Sequence, residues 1–113
     1  MPICIINTNI AKVSPTLLKI VSETVAKCLS KPETNVMVQV NPNKMMCFSG
    51  KADPCAVMQI RSIGAIAKAS NNAAAAVLNK LLAEQLGVDE SRILIEFFDV
   101  NGENLALRGA TLR

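Results

Sequence analysis

Apolar and polar side chains alternate along Pro2 to Thr8, the period-two pattern of a strand with one face buried. A helix start follows at Ser14-Pro15. The serine hydroxyl can cap backbone N–H groups, and proline suits the first helical position, where its missing N–H would find no partner anyway. The predicted helix runs to about Ser30, with Leu17, Leu18, Val21, Val25, Cys28 and Leu29 spaced to cover one face. Val36 to Val40 is β-branched and alternating, so it reads as a second strand. Asn41-Pro42-Asn43-Lys44 carries turn chemistry, and Met45 to Ser49 is expected as a short strand ending at Gly50.

The second half repeats this order. Cys55 to Ile63 reads as a strand, Ser70 or Asn71 is expected to cap a helix running through Leu86, Gly87 stops it, and Ile93 to Phe98 is the last strand. The second helix carries Ala74, Val77, Leu78, Leu81, Leu82 and Leu86 on one expected apolar stripe. Laid side by side, Leu29 to Val38 matches Leu86 to Ile95 in pattern, which makes the chain one domain, 1–113, of two pseudo-repeated βαβ units at about 1–50 and 55–108. Right-handed crossovers place both helices on the same side, so the expected architecture is α/β (α+β): a mixed four-stranded sheet with two helices on one face. Val36 to Val40 and Ile93 to Phe98 are apolar on both alternating faces, as in a sheet covered twice. A single chain has no second layer to offer, so a cyclic homo-oligomer joined through the open sheet face is expected.

Composition then removes most chemistries. The chain has no histidine, tyrosine or tryptophan. Ser-His-Asp and Cys-His catalysis, histidine ligation of a metal and aromatic base-stacking platforms are therefore excluded, and neither a metal nor a cofactor is expected. Twelve Lys and Arg against nine Asp and Glu give a net charge of +3 spread along the chain, a solvated surface and not a nucleic-acid footprint. No apolar run approaches the roughly 20 residues needed to span a bilayer, and the apolar start lacks the charged region of a signal peptide, so a cytoplasmic protein without membrane insertion is expected. Cys4, Cys28, Cys47 and Cys55 form no CxxC pair and lie in apolar segments, which suits buried thiols in a reducing compartment. What remains for catalysis is a carboxylate, a lysine, a thiol or the amino terminus. A methionine followed by a small residue is normally trimmed, which would leave the secondary amine of Pro2 at the start of the first strand.

Met1-Pro2 with Ile6, Thr8 and Asn9, then Ser30-Lys31-Pro32, Met46-x-Phe48-x-Gly50, Asp53-Pro54-Cys55, Ser62-Ile63-Gly64, Arg92-Ile93-x-Ile95 and Phe98-Asp99, together resemble the macrophage migration inhibitory factor and D-dopachrome tautomerase family. No single piece is specific, since proline often starts strands and a lysine followed by proline often ends helices; their order along the whole chain carries the likeness. The resemblance implies a homotrimer whose sheets face a central barrel, with a keto–enol tautomerase pocket at each subunit interface. It implies Pro2 as the catalytic base, Lys31 holding the substrate's carboxylate or carbonyl oxygen, and the backbone N–H of Ile63 as a second donor. Substrates of the phenylpyruvate or dopachrome type, small α-keto acids among them, follow from the same likeness. So does a cytokine-like role with a cell-surface receptor as partner, reached by secretion without a signal peptide.

Chemistry independent of the family leads to the same demand. A terminal amine titrates near 7.7–8.0 and a proline amine higher, so burial beside Ile3 and Ile5 and repulsion from Lys31 would have to lower it before it could act as a base at neutral pH. Three departures stand out. Leu94, Leu107 and Leu112 occupy positions where relatives place pocket aromatics, Glu96 stands where many carry asparagine, and Cys55-Ala56-Val57-Met58 replaces a CxxC segment, so thiol–disulfide exchange is not expected. The alternatives are a cytokine-like signalling protein with a vestigial pocket, and a ferredoxin-like interaction domain.

Overall fold

The fold is built from two strand–helix–strand crossovers joined back to back. The computed structural model describes all of residues 1–113: β1 (Ile3–Thr8), α1 (Thr16–Cys28), β2 (Met37–Asn41), β3 (Ala56–Ser62), α2 (Lys68–Leu86), β4 (Ile93–Asp99), and a hairpin of β5 (Ala106–Leu107) and β6 (Ala110–Thr111). The main sheet runs β2-β1-β3-β4. β1 lies parallel to β2 and β3 parallel to β4, while β1 and β3 meet antiparallel at the centre, Ile3 opposite Arg61 and Thr8 opposite Ala56. Single 3₁₀ turns at Glu33–Asn35 and Glu90–Arg92 precede β2 and β4 at matching points of the repeat.

Alternation decides which side chains meet the helices. Cys4 and Ile6 of β1, Met58 and Ile60 of β3 and Ile93 of β4 point to one face, where Leu17, Val21 and Val25 of α1 and Ala74, Leu78, Leu82 and Leu86 of α2 close over them as one continuous core. The opposite face has no layer within the chain. Met37 is 65% exposed and Leu94 57% exposed there. The centre of that face is not uniformly apolar: Gln59 Nε2 donates to Glu96 Oε1 at 3.0 Å, Asn41 Nδ2 donates to Asn7 Oδ1 at 3.1 Å, and the Arg61 guanidinium lies 4.9 Å from the Phe98 ring centroid. β2 and β4 thus carry apolar side chains on both faces as expected, but polar rows share the open side with them.

The helix starts agree with the sequence reading at α1 and differ from it at α2. At α1 the Ser14 hydroxyl accepts the Thr16 N–H at 3.3 Å and Pro15 already has helical dihedrals, in keeping with the expected start. At α2 the helix begins at Lys68, so Ser70 and Asn71 lie inside its first turn and not before it. Asn71 Oδ1 reaches back to the Ala67 N–H at 3.3 Å and the Ser70 hydroxyl donates to the Ala67 carbonyl at 3.1 Å, which serves the helix start from within.

The expected strand over Met45–Ser49 is absent. That segment forms only an isolated bridge between Phe48 and Lys51, because left-handed dihedrals at Asn43, Ser49 and Gly50 break any extended run. It is tied down by side chains instead. Arg92 donates to the carbonyls of Pro54 at 2.9 Å and of Phe48, Lys51 and Asp53 at 3.1 Å each, with its guanidinium 5.5 Å from the Phe48 ring centroid. Asn9 holds the same loop from β1, donating to the carbonyls of Ala52 and Asp53 and accepting the Cys55 N–H at 2.9 Å. Cys47 within this loop is exposed and Cys28 half-buried, so only Cys4 and Cys55 are the buried thiols that the apolar context suggested for all four.

Arg92→Ala should cost roughly 1–3 kcal/mol, since one planar guanidinium satisfies four carbonyls that water would otherwise have to serve. Chemical denaturation measures this, and Arg92→Lys should not restore it because an ammonium lacks the fork. A variant as stable as the parent would show that Asn9 alone holds the loop.

Candidate active site

Topology brings three of the sequence-predicted residues to one end of the sheet. Antiparallel β1 and β3 place the start of one beside the end of the other, so Pro2 lies next to Ser62-Ile63. The α1 crossover must return to this same end before β2 can run parallel to β1, which delivers Lys31.

Local geometry then aims each group. α1 closes in a Schellman motif: Ser30 adopts φ 53° in the left-handed region, its N–H donates to the Lys27 carbonyl at 3.3 Å, and the Lys31 N–H donates to the Ala26 carbonyl at 2.9 Å. The chain therefore turns sharply under Lys31, and Pro32 bars any continuation of the helix. Lys31 Nζ donates to the Ile63 carbonyl at 3.3 Å. The Ile63 segment is held on both sides, by the Val100 N–H on the Ser62 carbonyl at 2.9 Å and by the Gly64 N–H on Asp99 Oδ1 at 3.1 Å. Between these anchors the Ile63 N–H donates to no group of the chain. Gly64 and Ala65, both at positive φ, carry the backbone out of the strand.

Pro2 is fully buried, and its carbonyl accepts the Met37 N–H at 3.0 Å, which extends the β1–β2 pairing by one residue at a position that needs no N–H of its own. The terminal amine, carried here by Met1, titrates below its ordinary range, first because burial disfavours the ammonium and second because Lys31 repels it. Thiols are poor candidates beside it: burial pushes Cys4 up to about 12 and raises Cys28 as well.

The terminus opens into a cleft of about 460 Å³ whose lining includes Met1, Asn35, Val36, Met37, Leu107 and Arg108. A separate hollow of about 340 Å³ lies beside the Ile63 turn, against Gly64, Asp99 and Arg113. Leu107 thus shares a cleft with the terminus, and Leu112 is tied into the adjoining hairpin by its N–H on the Leu105 carbonyl at 2.9 Å. Leu94 and Glu96 stand apart. Both lie on the open face of β4, with β3 between them and β1, and neither lines a cleft within the chain.

Three contributors were not singled out from sequence. Ser30 aims Lys31 through a left-handed conformation usually left to glycine, and Asp99 fixes Gly64 from the end of β4. Arg108 enters the cleft from the turn of the β5–β6 hairpin. The two-residue spacing ahead of Gly109 was the only available signal for that turn, and Arg-Gly is a weak one.

Comparison with known proteins agrees with this arrangement along the full length. The family model described as macrophage migration inhibitory factor (MIF) matches residues 1–113. A macrophage migration inhibitory factor homolog of Brugia malayi is 42% identical over 113 residues, covering 98% of both chains, and the macrophage migration inhibitory factor of Rattus norvegicus is 35% identical with the same coverage. The solved structure of the macrophage migration inhibitory factor from Trichinella spiralis superposes with a TM-score of 0.94 at 33% identity, over 97% of this chain and 99% of that one. A homologue from Prochlorococcus marinus gives the same TM-score at 27% identity, over 98% and 99%. With the family model and these relatives spanning the same two βαβ units from end to end, the chain belongs to the macrophage migration inhibitory factor family.

Proposed function

We propose that this protein is a keto–enol tautomerase, an intramolecular oxidoreductase in which the ring nitrogen of Pro2, freed by removal of Met1, is the base. One observation carries the reading: an amine with a depressed affinity for protons stands beside a lysine and an unused backbone donor. With Met1 in place the Pro2 nitrogen is an amide and has no basicity. Trimming moves the amine onto the ring, one residue deeper into the apolar end of β1, where Pro2 is fully buried.

The steps are proton transfers and call for no cofactor. Neutral Pro2 takes a proton from the carbon next to a substrate carbonyl, and the C–H electron pair moves into a C=C bond as the carbonyl oxygen gains charge. Lys31 and the Ile63 N–H stabilise that oxygen, the term worth most in such sites. The Pro2 ammonium then returns its proton to oxygen, giving the enol, and the reverse sequence gives the ketone. Small α-keto acids and dopachrome-like compounds fit this chemistry. A homotrimer joined through the open sheet face would cover Met37 and Leu94 and bring Leu94 and Glu96 of one copy toward the cleft of the next.

Phenylpyruvate tautomerisation should fall by about 10²-fold or more in Pro2→Gly, with intact mass confirming loss of the initiator methionine in both proteins. Full activity in the variant, or in protein that keeps Met1, sinks the assignment. The rate should rise with pH as the terminal amine loses its proton, since only the neutral form is a base. Lys31→Gln removes a repelling cation, so the amine holds its proton more tightly and the acid limb of the profile moves to higher pH; a limb that stays in place or moves the other way would place Lys31 elsewhere. Leu94→Glu should leave the chain folded but lower its sedimentation coefficient to that of a monomer, and an unchanged assembly would rule out the open face as the joint.

A further inference from the structure

The cleft at the amino terminus contains a cation that the proposed chemistry does not use. Arg108 sits at the first position of the two-residue turn between β5 and β6, with φ 56°, and Gly109 follows at φ 81°. Positive φ at both positions is a type I′ turn, for which Asn-Gly and Gly-Gly are the favoured pairs. A long side chain with a Cβ is a costly choice there, and an unfavourable backbone kept at a cleft wall points to a use for the side chain. The guanidinium has no acidic partner within the chain, where the ion pairs join Lys19 to Glu23 and to Glu33. Arg108 lines the same cleft as the terminus, and the rest of its lining is Val36, Met37 and Leu107 with Thr34 and Asn35.

On the tautomerase reading, we infer that Arg108 is a specificity residue that binds the carboxylate of a small aliphatic oxo acid, while Lys31 serves the reacting oxygen. A planar guanidinium matches a carboxylate with two parallel N–H bonds, whereas an ammonium offers only a point charge. The division of labour follows from placement. Lys31 is anchored on the Ile63 carbonyl at the end of β3, whereas Arg108 has no ion pair and lines the cleft from the hairpin. With leucine and not an aromatic at position 107, the cleft wall offers charge recognition in place of ring stacking.

The test uses the trimmed full-length protein with 4-methyl-2-oxopentanoate and its methyl ester, which share the keto group and carbon skeleton while a methyl group on the ester removes the charge that Arg108 would read. Binding is followed by NMR titration and turnover by the enol absorbance. The parent should bind the acid at least about tenfold tighter than the ester, and R108Q should bring the two within about two- to threefold. R108K should keep part of the preference. R108N, which places a favoured residue in the turn, should melt at or above the parent temperature while losing the preference, so that misfolding cannot account for the loss. K31Q should slow turnover yet leave the preference standing. An equal preference in R108Q and parent, no preference in the parent, or loss in K31Q alone overturns the inference. Pro2→Gly keeps the outcomes separate: if the parent shows the preference but no more turnover than that variant, the tautomerase reading fails and Arg108 recognition stands.

Discussion

The constraint on which the site depends is the antiparallel pairing of β1 with β3. Each βαβ unit is internally parallel, so each has its strand starts at one end and its strand ends at the other. Joining the units antiparallel sets the starts of the first against the ends of the second, and residue 2 comes to lie beside residues 62 and 63. A parallel join would have put Ile63 at the far end of β1, about 20 Å away at 3.3 Å per residue. The helix-facing core makes this register rigid, because a one-residue slip would turn Cys4 and Ile6 of β1, or Met58 and Ile60 of β3, out of the core.

The repeat that builds the fold is also where the site departs from symmetry. Leu29-Ser30-Lys31 and Leu86-Gly87-Val88 both end a helix with a left-handed residue, at φ 53° and 69°. In the second unit the next residue, Val88, is buried against the core, the usual apolar partner of such a helix end. In the first unit that residue is Lys31, which turns away from the core and reaches Ile63. A device that stops a helix in one half has become, in the other, a device that aims a cation.

Much of this was legible in sequence because it rests on periodicity. The alternation in Pro2 to Thr8 and in Val36 to Val40 marks the strands, and of the 3.6-residue stripes Leu17, Val21, Val25, Leu78, Leu82 and Leu86 are buried, while Leu18 and Val77 at the stripe edges stay exposed. The failures came where side-chain bonds override local pattern. Met45 to Ser49 has an apolar composition, but the carbonyls around it are claimed by Arg92, more than forty residues away, and no local rule sees that distance. The start of α2 moved because Ser70 and Asn71 bond backward from within the helix. Pro2, Lys31 and Ile63 could be named from motifs, whereas Arg108 could not, since its significance lies in a dihedral angle and in the cleft beneath it.

In a chain without histidine, the one backbone group that titrates near neutral pH is the terminal amine. Its ordinary value lies slightly too high, and the structure applies two corrections of the same sign, desolvation and a neighbouring cation. Both are most effective where the chain begins inside a sheet. A terminus on a flexible arm would stay hydrated and out of Lys31's field, while one buried without an opening would reach no substrate. The Pro2 carbonyl bonded to Met37 holds residue 2 in the sheet, and Met1 ahead of it lines the cleft. Proline suits such a position because its ring restricts the first residue to dihedrals compatible with the strand and it spends no N–H on the ladder. With Met1 removed, the features that make Pro2 a good strand starter are also those the proposed base requires, and sequence pattern alone cannot separate the two roles.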